Sequence, residues 1–284
     1  MNIVIAVSSA LLAAVCFGVG SVLQHEAARQ APMRKSLRLQ LLLDLARRPR
    51  WLVGLVLSVS SFAFLGFALA FGPLVLVLPL AAADLVFALP FLALRRRQSL
   101  TRLEKTGIVC TAGGVAAFLT VLPLSPGTAV PAVHDWAPAF AAAIGVVALL
   151  APMGAWRPGR ARTAAYAVSA AMMLALLDGL TKSTASRFRT GGFDVLLHWE
   201  PYALMAVGVT SLVLSQSAFQ AGSLAISLPI IDTLEPIGAV AIGIAVFGEQ
   251  LALTGWALTV QALGAAAAVT GIVLLGRSPL ATTE

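Results

Sequence analysis

The chain has 284 residues, of which 59% are hydrophobic and only 11% are charged, and its mean hydropathy is +0.93. Soluble domains carry about 25% charged residues. The composition therefore excludes a water-soluble fold, and with it a soluble nucleic-acid-binding domain, despite a formal charge of +7. The two cysteines, Cys16 and Cys110, lie inside apolar runs, which excludes a disulfide scaffold.

Nine apolar runs are long enough to cross a lipid bilayer, which takes about 20 residues of α-helix. We therefore expect an all-α, multi-pass protein of the cell membrane. In chain order, the spans are predicted at residues 3–23, 51–71, 73–94, 105–122, 137–155, 163–183, 201–220, 223–247 and 252–276.

The basic residues lie almost entirely in the loops of one side. Those loops hold 16 of the 19 lysines and arginines, and the opposite side holds Lys182, Arg187 and Arg189. Because cytoplasmic loops are enriched in Lys and Arg, the N-terminus is predicted outside and the C-terminus in the cytoplasm. The basic excess is thus a topology signal and not a nucleic-acid footprint.

The first cytoplasmic loop, residues 24–50, is long and amphipathic. Leucines alternate there with arginine, glutamine and aspartate between residues 37 and 48. This pattern is typical of a helix that lies on the membrane surface, and equally of a short helix packed under the bundle. The sequence leaves both interpretations open.

Two motifs occur once in each half of the chain. The pattern Gly-x-Leu-x-x-x-Leu-Pro occupies residues 72–79 and 222–229, an offset of 150, and Ala-Val-Ser occupies residues 6–8 and 167–169, an offset of 161. The first four spans thus correspond to the last four. Because five crossings separate matched spans, they run in opposite directions and form inverted repeats, a common architecture of secondary transporters.

This repeat defines the expected organisation of the chain. The first repeat comprises residues 1–122, including the surface loop 24–50, and the second comprises residues 163–276. Residues 123–162 contain the linking fifth span, and residues 277–284 form a cytoplasmic tail.

Several motifs resemble a known family. The stretch Leu234-Glu235-Pro236-Ile237-Gly238 and the later Phe247-Gly248-Glu249 resemble the end of an EamA-type domain of the drug/metabolite transporter superfamily. Residues 18–25 and 72–80 are similar to NIPA-type magnesium transporters, which also have nine spans. The resemblance implies a transporter. The chain departs from the superfamily's ten-span pattern where loop 24–50 replaces the second span and where residues 95–99 lack the expected acidic residue.

Three acidic residues lie near the middle of predicted spans: Asp84 in the third, and Asp232 and Glu235 in the eighth. An ionised carboxylate at the centre of a membrane helix costs about 2.5 to 3.5 kcal/mol. We therefore expect these side chains to face the protein interior or a water-filled path. There they would bind a cation, a proton or part of a substrate.

Prolines occur beside these acids in both halves. Pro79 precedes Asp84, and Pro229 and Pro236 bracket the pair in the eighth span. A proline removes a backbone donor and frees the carbonyl four residues earlier. Both spans are thus predicted to be kinked or broken, which in transporters marks a site near the bilayer midplane. The alternative is a plain proline kink with internally hydrogen-bonded acids.

Other polar side chains are candidates for the transport route. Asp178 and Lys182 are four residues apart on one helix face, so they can pair with each other or with a ligand, the ion pair being favoured. Gln216 and Gln220 either line the route or bridge helices by hydrogen bonds. Glu249, at the end of the eighth span, is expected to pack or to cap a helix and not to take part in transport chemistry.

No enzyme or metal-binding motif is present. His25, His134 and His198 have no ligand spacing, and Walker A and Gly-x-Ser-x-Gly motifs are absent from the sequence. We expect a secondary transporter of a small metabolite or drug-like solute that uses alternating access and protons, with no cofactor. The alternatives are a carrier of Mg²⁺ or another divalent cation and a non-transporting scaffold. Expected partners are the substrate, the lipid bilayer, protons and a second copy of the chain, but not nucleic acid.

Overall fold

The computed structural model describes residues 2–28, 45–95, 97–123, 127–222, 224–251 and 254–276. Within these ranges the chain is helical, with short turns and no strand. Most of the amphipathic segment within residues 37–48 and the tail 277–284 lie outside the described residues. The choice between a surface helix and a buried helix therefore stays a prediction.

The described ranges form ten α-helices. They are α1 (Ile3–Ala28), α2 (Pro49–Phe71), α3 (Leu74–Ala81), α4 (Leu85–Arg95), α5 (Arg102–Thr120), α6 (Ala137–Trp156), α7 (Arg160–Gly191), α8 (Glu200–Ala221), α9 (Leu224–Ala245) and α10 (Gly255–Gly276). Two 3₁₀ helices, Val133–Trp136 and Gly192–Leu197, precede α6 and follow α7. The predicted spans are thus recovered, although α7 is 32 residues long and exceeds its predicted bounds.

The third predicted span is broken, as expected, but the break does not lie at Pro79. Helix α3 continues past Pro79 to Ala81, residues 82–84 form a turn, and α4 begins at Leu85. The carbonyl of Asp84 accepts the first hydrogen bonds of α4, from the amides of Phe87 and Ala88 at 2.9 and 2.8 Å. The break therefore lies three to five residues after Pro79, directly before α4.

The eighth predicted span is not broken. Helix α9 is continuous from Leu224 to Ala245 and contains both Pro229 and Pro236. The expected break at these two prolines is therefore wrong, and the alternative of a kink in a continuous helix stays a prediction. Each proline removes only one backbone hydrogen bond, and neighbouring helices commonly compensate for that loss inside membranes. Helix α9 packs along α7, and Pro229 lies against Gly276 of α10.

Eight of the described helical segments are long and apolar enough to cross a membrane. They include the combined segment of α3 and α4, Leu74–Arg95. Helix α5 is the predicted span outside this group, because Arg102, Glu104 and Lys105 occupy its first turn and leave too short an apolar stretch. The chain is thus a polytopic, all-helical protein suited to a membrane.

The helices pack in pairs around a shared core. Helix α1 packs on α2, α7 on α8 and α9, and α5 on α10, while the short α3 contacts α1 and α9. Glycines bring α5 and α10 together: a Cβ at Gly264 would lie only 2.7 Å from the amide nitrogen of Phe118 and 2.8 Å from the carbonyl oxygen of Gly114. Close backbone approach of this kind is how helices associate in lipid.

Helix α6 lies at the periphery of the bundle. It packs on α7, and Ala143 and Gly154 are its buried residues. Large apolar side chains on its surface are exposed, among them Ile144, Leu149 and Trp156. Apolar surface of this extent fits a lipid environment.

Candidate functional site

Four acidic side chains meet in the interior and form what we call the acid cluster: Asp84 at the start of α4, Asp178 on α7, and Asp232 and Glu235 on α9. Asp84, Asp178 and Asp232 are 1%, 0% and 4% exposed, and Glu235 is half-buried. Asp84 interacts electrostatically with both Asp232 and Glu235. The structure thus brings together the three acids that the sequence singled out as one group.

Asp178 is the fourth member of the cluster, although the sequence analysis favoured its pairing with Lys182. Its carboxyl group interacts with that of Glu235, and neither of its oxygens accepts a hydrogen bond from any donor in the described part of the chain. Two carboxyl groups can hydrogen-bond to each other only when one of them carries a proton. This contact is therefore a place where a proton can be held.

A small cavity, which we call the acid cavity, lies beside the cluster. Its volume is about 40 Å³, and Asp84, Asp232 and Glu235 line it together with Ser61 and Pro236. Among described residues, both carboxyl oxygens of Asp84 and one of Asp232 are buried without a hydrogen-bond partner. A cavity of this size has room for a water molecule beside these carboxyl groups.

A larger cavity lies between the helix pair α1 and α2 and the helix pair α7 and α8. This apolar cavity has a volume of about 530 Å³ and is lined by aliphatic and aromatic side chains with a few hydroxyl and amide groups. Phe17 and Phe62 line both cavities. These two rings thus border the acid cavity on one side and a space large enough for a small organic molecule on the other.

Asp232 also borders a third cavity, of about 200 Å³, between α3, α5, α9 and α10. That cavity is lined almost entirely by apolar residues, and Thr233 is its other polar member. Asp232 therefore borders both the acid cavity and this third cavity.

Hydrogen bonds between neutral side chains join three helices at one end of the bundle. Gln216 on α8 donates to the Gln24 side chain on α1 at 2.7 Å, and Gln24 donates to the Ser58 hydroxyl and the Gly54 carbonyl of α2 at 2.6 and 3.1 Å. The indole of Trp51 donates to Gln216 at 3.4 Å. We call this group the amide network and its location the amide end.

The sequence left open whether Gln216 and Gln220 line the transport route or bridge helices by hydrogen bonds, and the structure answers this for Gln216. Gln216 both bridges helices and lines the apolar cavity. Gln220, one turn further along α8, is buried. Gln24 was not predicted as a site residue, and its position near the end of an apolar span is the signal that could have found it.

Lys182 and Glu249 form an ion pair at the opposite end of the bundle, with side chains only 4% and 1% exposed. The same carboxylate accepts hydrogen bonds from the backbone amides of Leu74 and Val75 at 3.0 and 2.9 Å, the first residues of α3. We call Lys182, Glu249 and these two amides the latch, and this location the latch end. Helix α2 runs from the amide end to the latch end, a distance of about 35 Å at 1.5 Å per residue.

The latch corrects the expected pairing of Lys182 with Asp178. The predicted spacing is present on α7, but Lys182 contacts Glu249 and lies 4.3 Å from the ring centroid of Phe247, while Asp178 faces Glu235. Both α7 side chains are buried, so neither extends to the membrane surface. Glu235 on α9 and Glu249 after α9 are thus the partners of Asp178 and Lys182, and the expected pair within α7 does not form. Packing of α9 against α7 brings these two acids close to α7. The expectation that Glu249 caps a helix is confirmed, and the helix is α3.

Aromatic side chains cover the latch. Trp136, only 1% exposed, packs edge to face against Phe247 and Trp199, with ring centroids 5.7 and 5.8 Å apart. A separate ion pair at the same end joins Arg187 to the buried Glu200 at 2.7 Å. The latch end is therefore closed by the Lys182–Glu249 pair and by the aromatic packing over it.

The described residues contain no group of three or more His, Cys, Asp or Glu side chains arranged to hold a metal ion. The carboxyl groups of the acid cluster are therefore close together but are not arranged around one shared metal position.

Comparisons with known proteins found one similar protein, which is itself uncharacterized. No protein-family model matches it, and no solved structure matches it. It is 26% identical over 285 residues to an uncharacterized protein of Corynebacterium glutamicum, and the match covers 96% of this chain and 95% of the relative. The likeness thus extends along the full length of both proteins.

Proposed function

We propose that this chain is a secondary transporter of the drug/metabolite superfamily type, which moves a small solute by alternating access and couples the movement to protons. The observation that carries the proposal is the acid cluster. Its four carboxyl groups come from α7, α9 and the turn before α4, and three of them, those of Asp84, Asp232 and Glu235, border a cavity in the interior of an otherwise apolar bundle.

The cost of burying these acids supports a role in binding protons or a cation. Each ionised carboxylate costs about 2.5 to 3.5 kcal/mol at the centre of a membrane helix, so four would cost about 10 kcal/mol or more. The contact between Asp178 and Glu235 requires a proton if it is to be a hydrogen bond. A cluster that is stable only when partly protonated can load and release protons as its access to water changes.

Packing around two equivalent glycines supports the inverted repeat. Gly72, just before α3, is so close to Ala6 of α1 that an added Cβ would lie 2.9 Å from it. Gly222, just before α9, is pressed in the same way against Thr163 of α7. Each glycine thus packs on the first turns of the first helix in its own repeat. With the N-terminus outside, as the basic loops predict, the latch end faces outward and the amide end faces the cytoplasm.

The cavities also bear on the alternatives. A scaffold that transports nothing needs no cavity at Glu235, whereas the acid cavity reaches this residue. A Mg²⁺ carrier needs only one or two carboxylates and keeps several waters, so it remains the second candidate and an outcome of the same test.

The test begins with a thermal-shift screen of the purified protein against amino acids, amines, sugars, nucleosides and MgCl₂. A stabilising solute is then followed into vesicles under a pH gradient. We expect Glu235→Gln to abolish uptake driven by the gradient but to retain solute exchange at equal pH. The reason is that the glutamine amide imitates the protonated carboxyl group and carries no proton.

Glu200→Gln is the matched control, because Glu200 is a buried carboxylate outside the acid cluster. It should keep gradient-driven uptake. Unchanged coupling in Glu235→Gln would remove the proton mechanism, and stabilisation and uptake of Mg²⁺ alone would favour the cation carrier.

A further inference from the structure

One carboxylate connects three structural elements at the latch end. Glu249 follows α9, its partner Lys182 belongs to α7, and its other two donors are the first amides of α3. The carboxylate thus receives hydrogen bonds from a cation and from the positive end of a helix dipole, both of which stabilise a buried negative charge. Space for movement is small, because a Cβ at Gly243 would lie 2.7 Å from the Glu249 carboxylate.

We propose that the latch is the gate of the acid cavity at this end, and that Glu249 is the positioning residue that keeps it closed. This inference rests on the proposed transport function. Opening the bundle here must part α7 from α3, and Glu249 holds both helices at once. Separating a buried ion pair is costly unless water enters with the movement. The latch therefore has two states, dry and closed or wet and open.

The latch is also linked to the acid cluster by short covalent paths. Val75 lies nine residues before Asp84, along the single short helix α3 and the turn that follows it. Lys182 lies one turn of α7 after Asp178. A movement that releases Glu249 thus shifts the two elements that carry Asp84 and Asp178, so that the gate and the proton site can change together.

In the described part of the chain, the position that the repeat makes equivalent to Glu249 carries no charge. The repeat offset of 150 equates Glu249 with Ser99, a neutral residue that is exposed on the surface. The described contacts between Gln24, Gln216 and Ser58 at the amide end are neutral hydrogen bonds. The repeat therefore does not carry the Glu249 carboxylate over to residue 99.

Labelling of a cysteine in the acid cavity tests the gate. Ser61 lines that cavity, is 5% exposed, and can be replaced by the similarly sized cysteine in a chain whose native cysteines are both changed to serine. A membrane-impermeant maleimide is added to sealed vesicles from one side at a time. Phe193→Cys and Trp156→Cys, at exposed positions 78% and 86% accessible, identify the latch side and the amide side.

We expect Glu249→Gln and Lys182→Met each to raise the labelling rate of Ser61→Cys from the latch side by about tenfold or more, because loss of the pair shifts the population towards the open state. Labelling from the amide side should not rise. Glu200→Gln, which breaks the neighbouring ion pair with Arg187, should leave both rates unchanged.

A purely structural role of the pair predicts a lower unfolding temperature with no preference for one side, and that result would overturn the proposal. An unchanged latch-side rate in folded Glu249→Gln would do the same. Because labelling involves neither solute nor pH gradient, the gate can fail while the Glu235→Gln result stands, and the reverse also holds.

Discussion

The two ends of the bundle are held together by different chemistry. At the latch end, Glu249 accepts hydrogen bonds from Lys182 and from the backbone of α3 in a dry, aromatic surrounding. At the amide end, Gln24 and Gln216 exchange neutral hydrogen bonds beside a large cavity. Neutral hydrogen bonds between membrane helices are worth about 0.6 kcal/mol each, whereas removing one partner of a buried ion pair costs about 3 to 5 kcal/mol. The comparison teaches that the latch should contribute more to the stability of the bundle than the amide network does.

The largest effect is expected for Lys182→Met. The substitution leaves the Glu249 carboxylate buried with only its backbone donors, so the free energy of unfolding should fall by about 3 to 5 kcal/mol. Thermal and denaturant unfolding in detergent, followed by circular dichroism, measures this. Lys105→Met, at an exposed site on α5, should be nearly neutral. Adding Glu249→Gln to Lys182→Met should recover part of the loss, and a loss equal to that of Lys105→Met would show that the latch contributes little.

A smaller effect is expected for Gln216→Leu at the amide end. The leucine loses the hydrogen bond to Gln24 and the one from Trp51, which together should cost about 1 kcal/mol. The same unfolding measurements apply, with Gln98→Leu at an exposed loop position as the control. A loss as large as that of Lys182→Met would erase the proposed difference between the ends.

The smallest effect is expected for Ser58→Ala. This change removes one acceptor of Gln24, at 2.6 Å, and almost no volume, so the cost should be about 0.5 kcal/mol. In combination with Gln216→Leu the two losses should not add, because both residues belong to the same hydrogen-bond network. Strict additivity in this double-mutant cycle would mean that the amide network does not act as a unit.

Much of the fold could be predicted because it depends on local sequence. Hydropathy alone located the spans, since each helix satisfies its own backbone hydrogen bonds and needs only an apolar surface. The break near Pro79 was also predictable in kind, but its position at Asp84 was not. The continuity of α9 through Pro229 and Pro236 depends on the helices packed beside it, which a single helix's sequence does not specify.

The acid cluster could be predicted in part for the same reason. The depth of Asp84, Asp232 and Glu235 in apolar spans marked them as interior residues, because lipid does not tolerate their charge. Asp178 was assigned to Lys182 because helix spacing shows only the neighbours on the same helix. Its contact with Glu235 joins residues 57 positions apart on two helices, and no local pattern encodes that distance.

Sequence by itself determined that this is a polytopic helical protein with acidic groups held away from lipid, because both properties follow from the transfer of individual residues out of water. Only the tertiary structure decided which polar side chains meet. Glu249 binds Lys182 and the first amides of α3, Asp178 faces Glu235, and Gln24 is hydrogen-bonded to Gln216. The physical reason is that burial depends on each side chain's own chemistry, whereas pairing depends on how whole helices pack against one another.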